Sequence, residues 1–122
     1  MHFCWVTINV KDMEESLSFY RDIVGLPVNR RMKPRPGMEI VFLGSDGVEV
    51  ELIKDEEGSN PFFGDDISLG FTVDSVDKTI EFLASKNIPI DSGPFQPNPM
   101  TKFFYVLDPN GLQVQFVENI SK

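Results

Sequence analysis

The stretch VTINVKDMEESLSFYRDIVGLPV, residues 6–28, contains the signals of a strand and a helix in close succession. Apolar and polar residues alternate up to Val10, which is the period of a strand with one buried face. Asp12 followed by Glu15 is typical of a helix N-cap with its capping-box partner, and Gly25 provides the left-handed conformation in which many helices end. The helix is expected to bury one stripe of side chains, namely Met13, Leu17, Tyr20 and Val24.

A second copy of this pattern lies in the other half of the chain. Residues 110–116 (NGLQVQF) likewise echo residues 46–52 (DGVEVEL), 64 positions earlier. Self-similarity at a fixed spacing of about half the chain indicates a tandem duplication of one supersecondary unit. The matching apolar pairs, each 63 positions apart, are Val10 and Val73, Met13 and Val76, Leu17 and Ile80, and Phe19 and Phe82.

Alternation and turn residues predict the remaining strands and connections of each copy. In the first copy we expect a loop at residues 33–37 and a hairpin turn at Ser45–Gly47. In the second copy Ser75 caps the helix, and Asn87 takes the place that Gly25 holds in the first. The predicted strands are residues 3–10, 26–32, 38–43 and 48–54, followed by 67–73, 88–91, 102–107 and 112–117.

The order strand, helix, three strands, repeated once, predicts an α+β fold of two tandem βαβββ modules in one domain, residues 1–122. The modules span residues 1–54 and 66–122, and the charged segment 55–65, which has no apolar periodicity, is the predicted linker. Residues 92–100 contain three prolines and are predicted to form a loop, because such a segment cannot pair as a central strand. Loops of this length either connect elements or act as lids over binding sites.

Size and composition are those of one soluble globular domain, with 122 residues, 41% hydrophobic and 25% charged. No apolar run approaches the roughly 20 residues of a membrane helix, and no basic leader precedes the first strand, so we expect a cytoplasmic protein without membrane contact. The single cysteine, Cys4, excludes an internal disulfide and fits a reducing compartment. The net charge of −8 argues against nucleic-acid binding, which needs a basic face.

Several features together resemble the vicinal oxygen chelate superfamily, which includes glyoxalase I, extradiol dioxygenases and bleomycin-resistance proteins. They are the strand before DMEESLSFY at residues 12–20, the Gly25-Leu26 pair after the helix, the DPNG turn at residues 108–111, and the duplicated unit. The resemblance covers essentially the whole chain. It implies curled mixed sheets around a concave cleft, a small-molecule ligand on the concave face, and a homodimer.

Strand alternation separates an apolar set that faces the helix from an opposite set that would line the concave face. The aromatic run Phe103–Tyr105 alternates in the same way, so Phe103 and Tyr105 either form the floor of the same pocket or pack in the core. The candidate ligand-binding residues of the opposite set are Trp5, Thr7, Glu49, Glu51, Ser68, Gln113 and Gln115.

The resemblance also implies four metal-ligand positions, and these fall on Trp5, Glu51, Ser68 and Gln115. The family holds a divalent metal with imidazole nitrogen and carboxylate oxygen, whereas an indole has no lone pair to give. Ser68 is a weak neutral donor, and the amide of Gln115 cannot act as a proton-accepting base near pH 7. Because Glu51 alone is a normal donor, we expect no metal and no other cofactor.

Other residues of reactive or charged type are open to plainer interpretations. His2, the only histidine, is expected to be an exposed bystander near the chain terminus. Cys4 belongs to the helix-facing set and is expected to be a buried, inert thiol. Arg30 and Arg31 either solvate a strand edge or pair with Glu51.

Two functions remain open at this level. The first is a metal-independent small-molecule binding protein resembling the bleomycin-resistance branch, with Trp5 as a stacking platform and Glu51 as the counter-charge for a cationic or planar ligand, such as an antibiotic. The second is a glyoxalase I-type lyase, or a related enzyme, with a degenerate metal site. Metal content separates the two.

Overall fold

The computed structural model describes residues 1–58 and 60–119. The chain divides into two compact units, residues 1–62 and 63–122. Each unit contains a four-stranded mixed sheet and a helix, so the predicted α+β fold with two βαβββ copies is confirmed. In order the elements are β1 (Trp5–Asn9), α1 (Met13–Leu17) with a π-helical continuation (Ser18–Ile23), β2 (Val28–Arg35), β3 (Met38–Leu43), β4 (Glu49–Asp55), β5 (Ser68–Thr72), α2 (Val76–Ser85), β6 (Ser92–Asn98), β7 (Thr101–Leu107) and β8 (Gln113–Asn119).

The sheet of the first unit has the strand order β1-β4-β3-β2 and is not closed, since β1 and β2 form its two edges. Strand β1 runs parallel to β4, and the other pairs are antiparallel. One face packs against α1 and contains the core of the unit, in which Ile8 and Leu52 are fully buried. Alternation of apolar residues therefore predicted the covered face correctly.

The first helix starts as predicted but changes its geometry after one turn. The Asp12 carboxylate accepts a hydrogen bond from the Glu15 backbone nitrogen at 2.9 Å. From Ser18 onwards the helix widens into a π-helix, which brings both Phe19 and Tyr20 into the core. The predicted stripe, which assumed 3.6 residues per turn throughout, therefore left out Phe19.

The second unit repeats this arrangement with the strand order β5-β8-β7-β6. The Ser75 hydroxyl accepts from the Lys78 backbone nitrogen at 3.1 Å, which confirms the predicted cap of α2. Helix α2 packs against β7 and β8, and Asn87 after it adopts a positive φ of 62°. Asn87 is thus the left-handed counterpart of Gly25, whose φ is 90°.

The turns before the last strand of each unit follow their sequence signals. Asp46 and Gly47 both have positive φ, 62° and 88°, as a tight primed hairpin turn requires. In the second unit the buried Asp108 carboxylate accepts from the backbone nitrogens of Asn110 at 2.7 Å and Leu112 at 2.9 Å. This Asp108 turn is therefore a structural feature that directs the chain into β8.

Two proline-containing segments that were predicted as loops are parts of edge strands. Strand β2 continues through Pro34 to Arg35, and β6 occupies residues 92–98 of the predicted loop, whereas the predicted strand 88–91 does not form. Both strands pair on one side only, with register shifts at their irregular points. A proline that donates no backbone hydrogen bond is tolerated there, because one side of an edge strand has no partner.

The expectation for Cys4 was wrong. The strand begins at Trp5, so Cys4 lies before the regular alternation, and its side chain is exposed. Its backbone carbonyl still accepts a hydrogen bond from the Glu49 nitrogen at 2.9 Å. Ser59 of the predicted linker and Ile120–Lys122 of the predicted second module lie outside the described residues.

Candidate functional site

In the first unit, the sheet face opposite α1 carries the polar and aromatic side chains selected from the sequence. Parallel pairing of β1 with β4 sets Trp5 beside Glu49 and Thr7 beside Glu51. The indole of Trp5 remains 42% exposed. The structure therefore brings these four residues together on one face, which we call face 1.

Glu51 is held by its neighbour on β1. The Thr7 hydroxyl donates a hydrogen bond of 2.5 Å to one carboxylate oxygen of Glu51. Among the described residues no further hydrogen bond or ion pair engages Glu51. Its second oxygen is thus left for solvent or a ligand.

Glu49, rather than Glu51, forms the ion pair on face 1. It accepts from the Arg30 guanidinium at 2.9 Å and from the Asn29 amide at 3.0 Å. The Arg30 guanidinium also lies 4.0 Å from the ring centroid of Phe42, a stacked cation–π arrangement. Arg30 therefore places a positive charge beside Glu49 on face 1.

Phe42 was not predicted from the sequence, yet it lies at the centre of face 1. In-register pairing aligns Thr7, Glu51, Phe42 and Arg30 across the four strands. The Trp5 ring contacts Phe42 edge to face, with centroids 5.1 Å apart. A bulge between Val28 and Arg30 shifts the alternation of β2, which is why simple counting could not place Arg30.

The second arginine lies on the other side of the same sheet. Arg31 donates to Glu39 at 2.5 Å and to Glu14 of α1 at 2.8 Å. These hydrogen bonds, the one with Glu39 first, raise the pKa of Arg31 above its ordinary value. Of the two alternatives for these arginines, pairing with Glu51 is therefore formed by neither.

In the second unit, the sheet face opposite α2 carries the rest of the predicted set, and we call it face 2. Register places Ser68 beside Gln113, and Gln115 between Gly70 and Tyr105. The Gln115 amide nitrogen donates to the Tyr105 hydroxyl at 2.8 Å. Phe103 and Tyr105 share this face, so neither ring belongs to the buried core with Phe104.

Phe95 joins these rings from the edge strand. Its centroid lies 5.6 Å from that of Phe103 and 6.5 Å from that of Tyr105. The sequence did not predict this contact, because Phe95 was assigned to a loop. Face 2 thus has three clustered aromatic rings beside the Gln115 amide.

Two cavities lie elsewhere in the units. One of about 540 Å³ is lined by Ser75, Lys78 and Phe82, among others, at the start of α2. The other, of about 460 Å³, includes Asn9 and Phe62 in its lining. None of the nine predicted site residues lines either cavity.

The residues at the four implied metal positions do not suit a divalent metal. Trp5 has no donor lone pair, Ser68 is exposed and uncharged, and Gln115 offers only a neutral amide oxygen. Across residues 1–58 and 60–119, no three His, Cys, Asp or Glu side chains group in a metal-binding arrangement. One carboxylate among four positions does not make a metal cage.

These elements define a protein of two βαβββ units whose open sheet faces carry ligand-type residues. Residues 2–116 match the model of the Glyoxalase/Bleomycin resistance protein/Dioxygenase superfamily, and the chain belongs to that superfamily. A lactoylglutathione lyase of Haemophilus influenzae is 30% identical over 134 residues, covering 99% of this chain and 95% of the relative.

Solved structures of low sequence identity share the fold. The trypanothione-dependent glyoxalase I of Leishmania major has a TM-score of 0.80 at 22% identity, covering 97% of this chain and 86% of its own. An antibiotic-binding protein from a Streptomyces species has a TM-score of 0.75 at 20% identity, covering 98% of this chain and 96% of the Streptomyces protein. Within the described part of the chain, no helix has the length and apolar character needed to span a membrane.

Proposed function

We propose that this chain is a metal-independent protein that binds a small molecule on face 1, around Trp5 and Glu51. The observation that carries the proposal is the indole at position 5, which replaces a metal-donating side chain and remains open beside Phe42. An exposed aromatic ring next to a carboxylate suits a planar or cationic ligand. The antibiotic-binding Streptomyces protein with this fold provides a precedent for binding without implying the same ligand.

We assign separate roles to the two aromatic rings of face 1. Arg30 covers Phe42, so the Trp5 ring is the one available for stacking. Stacking of a cation on an indole contributes about 0.5–2 kcal/mol, and a charge-assisted hydrogen bond to the open oxygen of Glu51 adds about 1.5–3 kcal/mol. Together they correspond to an affinity gain of about thirtyfold to a few thousandfold.

The binding test is a screen of bleomycin and planar aromatic cations by thermal shift and by tryptophan fluorescence. Trp5 is the only tryptophan, so its emission reports on face 1 alone. We expect a hit to change this emission, and calorimetry to show weaker binding for Trp5→Ala and Glu51→Gln. The matched control is Glu81→Gln, which removes an exposed carboxylate from α2. A hit that leaves the emission unchanged and binds all variants equally places the site elsewhere.

A second candidate function is a glyoxalase I-type lyase, favoured by the 30% identical lactoylglutathione lyase. That chemistry in this fold calls for a bound metal and a proton-accepting base, and Gln115 is not such a base. We expect elemental analysis to find no stoichiometric zinc, nickel or iron, and added metal to leave the melting temperature unchanged. Stoichiometric metal that is lost in Glu51→Ala would contradict our proposal and favour the lyase.

The proposal includes a homodimer located in the cytoplasm. The resemblance to short superfamily members supports the dimer, and the single cysteine is compatible with a reducing compartment. Neither a nucleic-acid nor a membrane partner is part of the proposal, because the net charge of −8 repels phosphate-rich surfaces.

A further inference from the structure

We infer that face 2 binds a neutral planar aromatic group that carries one hydrogen-bond donor, with Gln115 Oε1 as the acceptor and Phe95 as part of the stacking surface. This adds a second binding site to the small-molecule function proposed for face 1. It assigns roles to Phe95 and Gly70, which are not among the nine candidate ligand-binding residues.

The hydrogen bond to Tyr105 fixes the orientation of the Gln115 amide. Its nitrogen donates to the Tyr105 hydroxyl at 2.8 Å, so its oxygen points away from Tyr105, towards Gly70. Among the described residues, nothing donates to this oxygen. Every buried side-chain nitrogen or oxygen in that part of the chain has a partner, so the unpartnered Oε1 is accessible from solvent.

Glycine at position 70 leaves space in front of this oxygen. A Cβ placed on Gly70 would lie 3.5 Å from Gln115 Oε1, so glycine leaves open the approach that any side chain would cover. Gly70 is not among the glycines with positive φ, which means that its backbone does not require glycine. Glycine at position 70 therefore keeps the acceptor accessible, whereas no turn conformation requires it.

Uncharged residues occupy the register positions of face 2. The register positions on face 2 of strands β5, β8 and β7 are Ser68, Gly70, Thr72, Gln113, Gln115, Val117, Phe103, Tyr105 and Leu107. None of these residues is an Asp, Glu, His, Lys or Arg, in contrast to Glu49, Glu51 and Arg30 on face 1. An uncharged aromatic surface with one open acceptor selects a neutral ligand, because an ionic group would lose hydration without gaining a counter-charge.

The test uses two probes of nearly equal shape, 2-naphthol, which has a hydroxyl donor, and 2-methoxynaphthalene, which has none. Calorimetry on the full chain near neutral pH gives both affinities. We expect 2-naphthol to bind wild type about fivefold more tightly, as one net hydrogen bond provides. Gly70→Ala is expected to abolish this preference by weakening 2-naphthol alone, since the added methyl group covers Oε1.

Phe95→Ala tests the stacking surface. It is expected to weaken both probes by about fivefold, whereas the matched Phe82→Ala, at a side chain of similar exposure on α2 (41% against 44%), is expected to weaken neither. Thermal unfolding of each variant verifies that it is folded.

Three outcomes overturn the inference: no binding of either probe to wild type, an unchanged preference in Gly70→Ala, or weakening by Phe82→Ala instead of Phe95→Ala. The last would assign the probes to the cavity at the start of α2. Failure of the face 1 proposal is seen separately, as cation binding that does not respond to Trp5→Ala or Glu51→Gln.

Discussion

At the scale of single residues, the two copies solve one backbone problem with different side chains. The chain must adopt a left-handed conformation after each helix, and it does so at Gly25 with φ of 90° and at Asn87 with φ of 62°. Glycine has no steric cost there, and asparagine tolerates the conformation better than most other residues. The position therefore constrains the residue type more than any side-chain contact does.

Gly25→Ala is expected to lower the free energy of unfolding by about 1–2 kcal/mol. An added Cβ would meet nothing within 4 Å, so the loss is conformational. Chemical denaturation measures it. In the control Asn87→Gly, the left-handed backbone conformation is already compatible with glycine. We therefore expect the free energy of unfolding to change by only a few tenths of a kcal/mol, because asparagine and glycine are the usual residues at this position. A loss in Asn87→Gly as large as in Gly25→Ala would contradict the argument.

Between elements, a polar contact links α2 to the sheet of its unit. Lys102 of β7 donates to Asp77 in the first turn of α2 at 2.8 Å. This hydrogen bond, followed by the charge of Asp77, raises the pKa of Lys102 above its ordinary value. The contact is exposed, so its contribution to stability is small and is best detected by titration.

Asp77→Asn is expected to lower the pKa of Lys102 in an NMR titration of its side chain, whereas Asp66→Asn leaves that pKa unchanged. Because the folded pKa is raised, the stabilisation is fully present below the unfolded lysine pKa of about 10.4. It is lost as the pH rises through the folded value. The difference in stability between wild type and Asp77→Asn should therefore shrink at strongly alkaline pH, where only the interaction of Asp77 with the N-terminus of α2 is left. A difference that is the same at neutral and alkaline pH, or a Lys102 pKa insensitive to Asp77→Asn, would show that the ion pair is not formed.

At the scale of the whole molecule, exposed apolar side chains are consistent with the proposed homodimer. Phe62 is 91% exposed and Phe3 67% exposed. Large apolar side chains that remain in water favour association when they belong to a continuous patch. The net charge of −8 would limit that association to specific contacts.

Light scattering after size-exclusion chromatography is expected to give twice the chain mass of 13.8 kDa. The reason is burial of exposed apolar surface between two copies. The measurement is repeated on dilution and at high salt, since an apolar interface withstands salt that would screen an ionic one. A mass of one chain at every concentration would contradict the proposed dimer.

Local sequence signals predicted the repeat, the caps at Asp12 and Ser75, and the covered face of each sheet. These features depend on residues a few positions apart, so periodicity and capping chemistry are sufficient to read them. The same alternation placed Trp5, Thr7, Glu49 and Glu51 on one face correctly.

Long-range pairing decided what the amino-acid order left open. Arg30 reached Phe42 and Glu49 because a bulge shifted the faces of β2, and Phe95 joined Phe103 because a proline-containing segment paired as an edge strand. Whether a proline interrupts a strand depends on which of its sides has a neighbour. That information resides in the order of strands across the sheet, because hydrogen bonding between distant segments, rather than local propensity, determines which strands become edges.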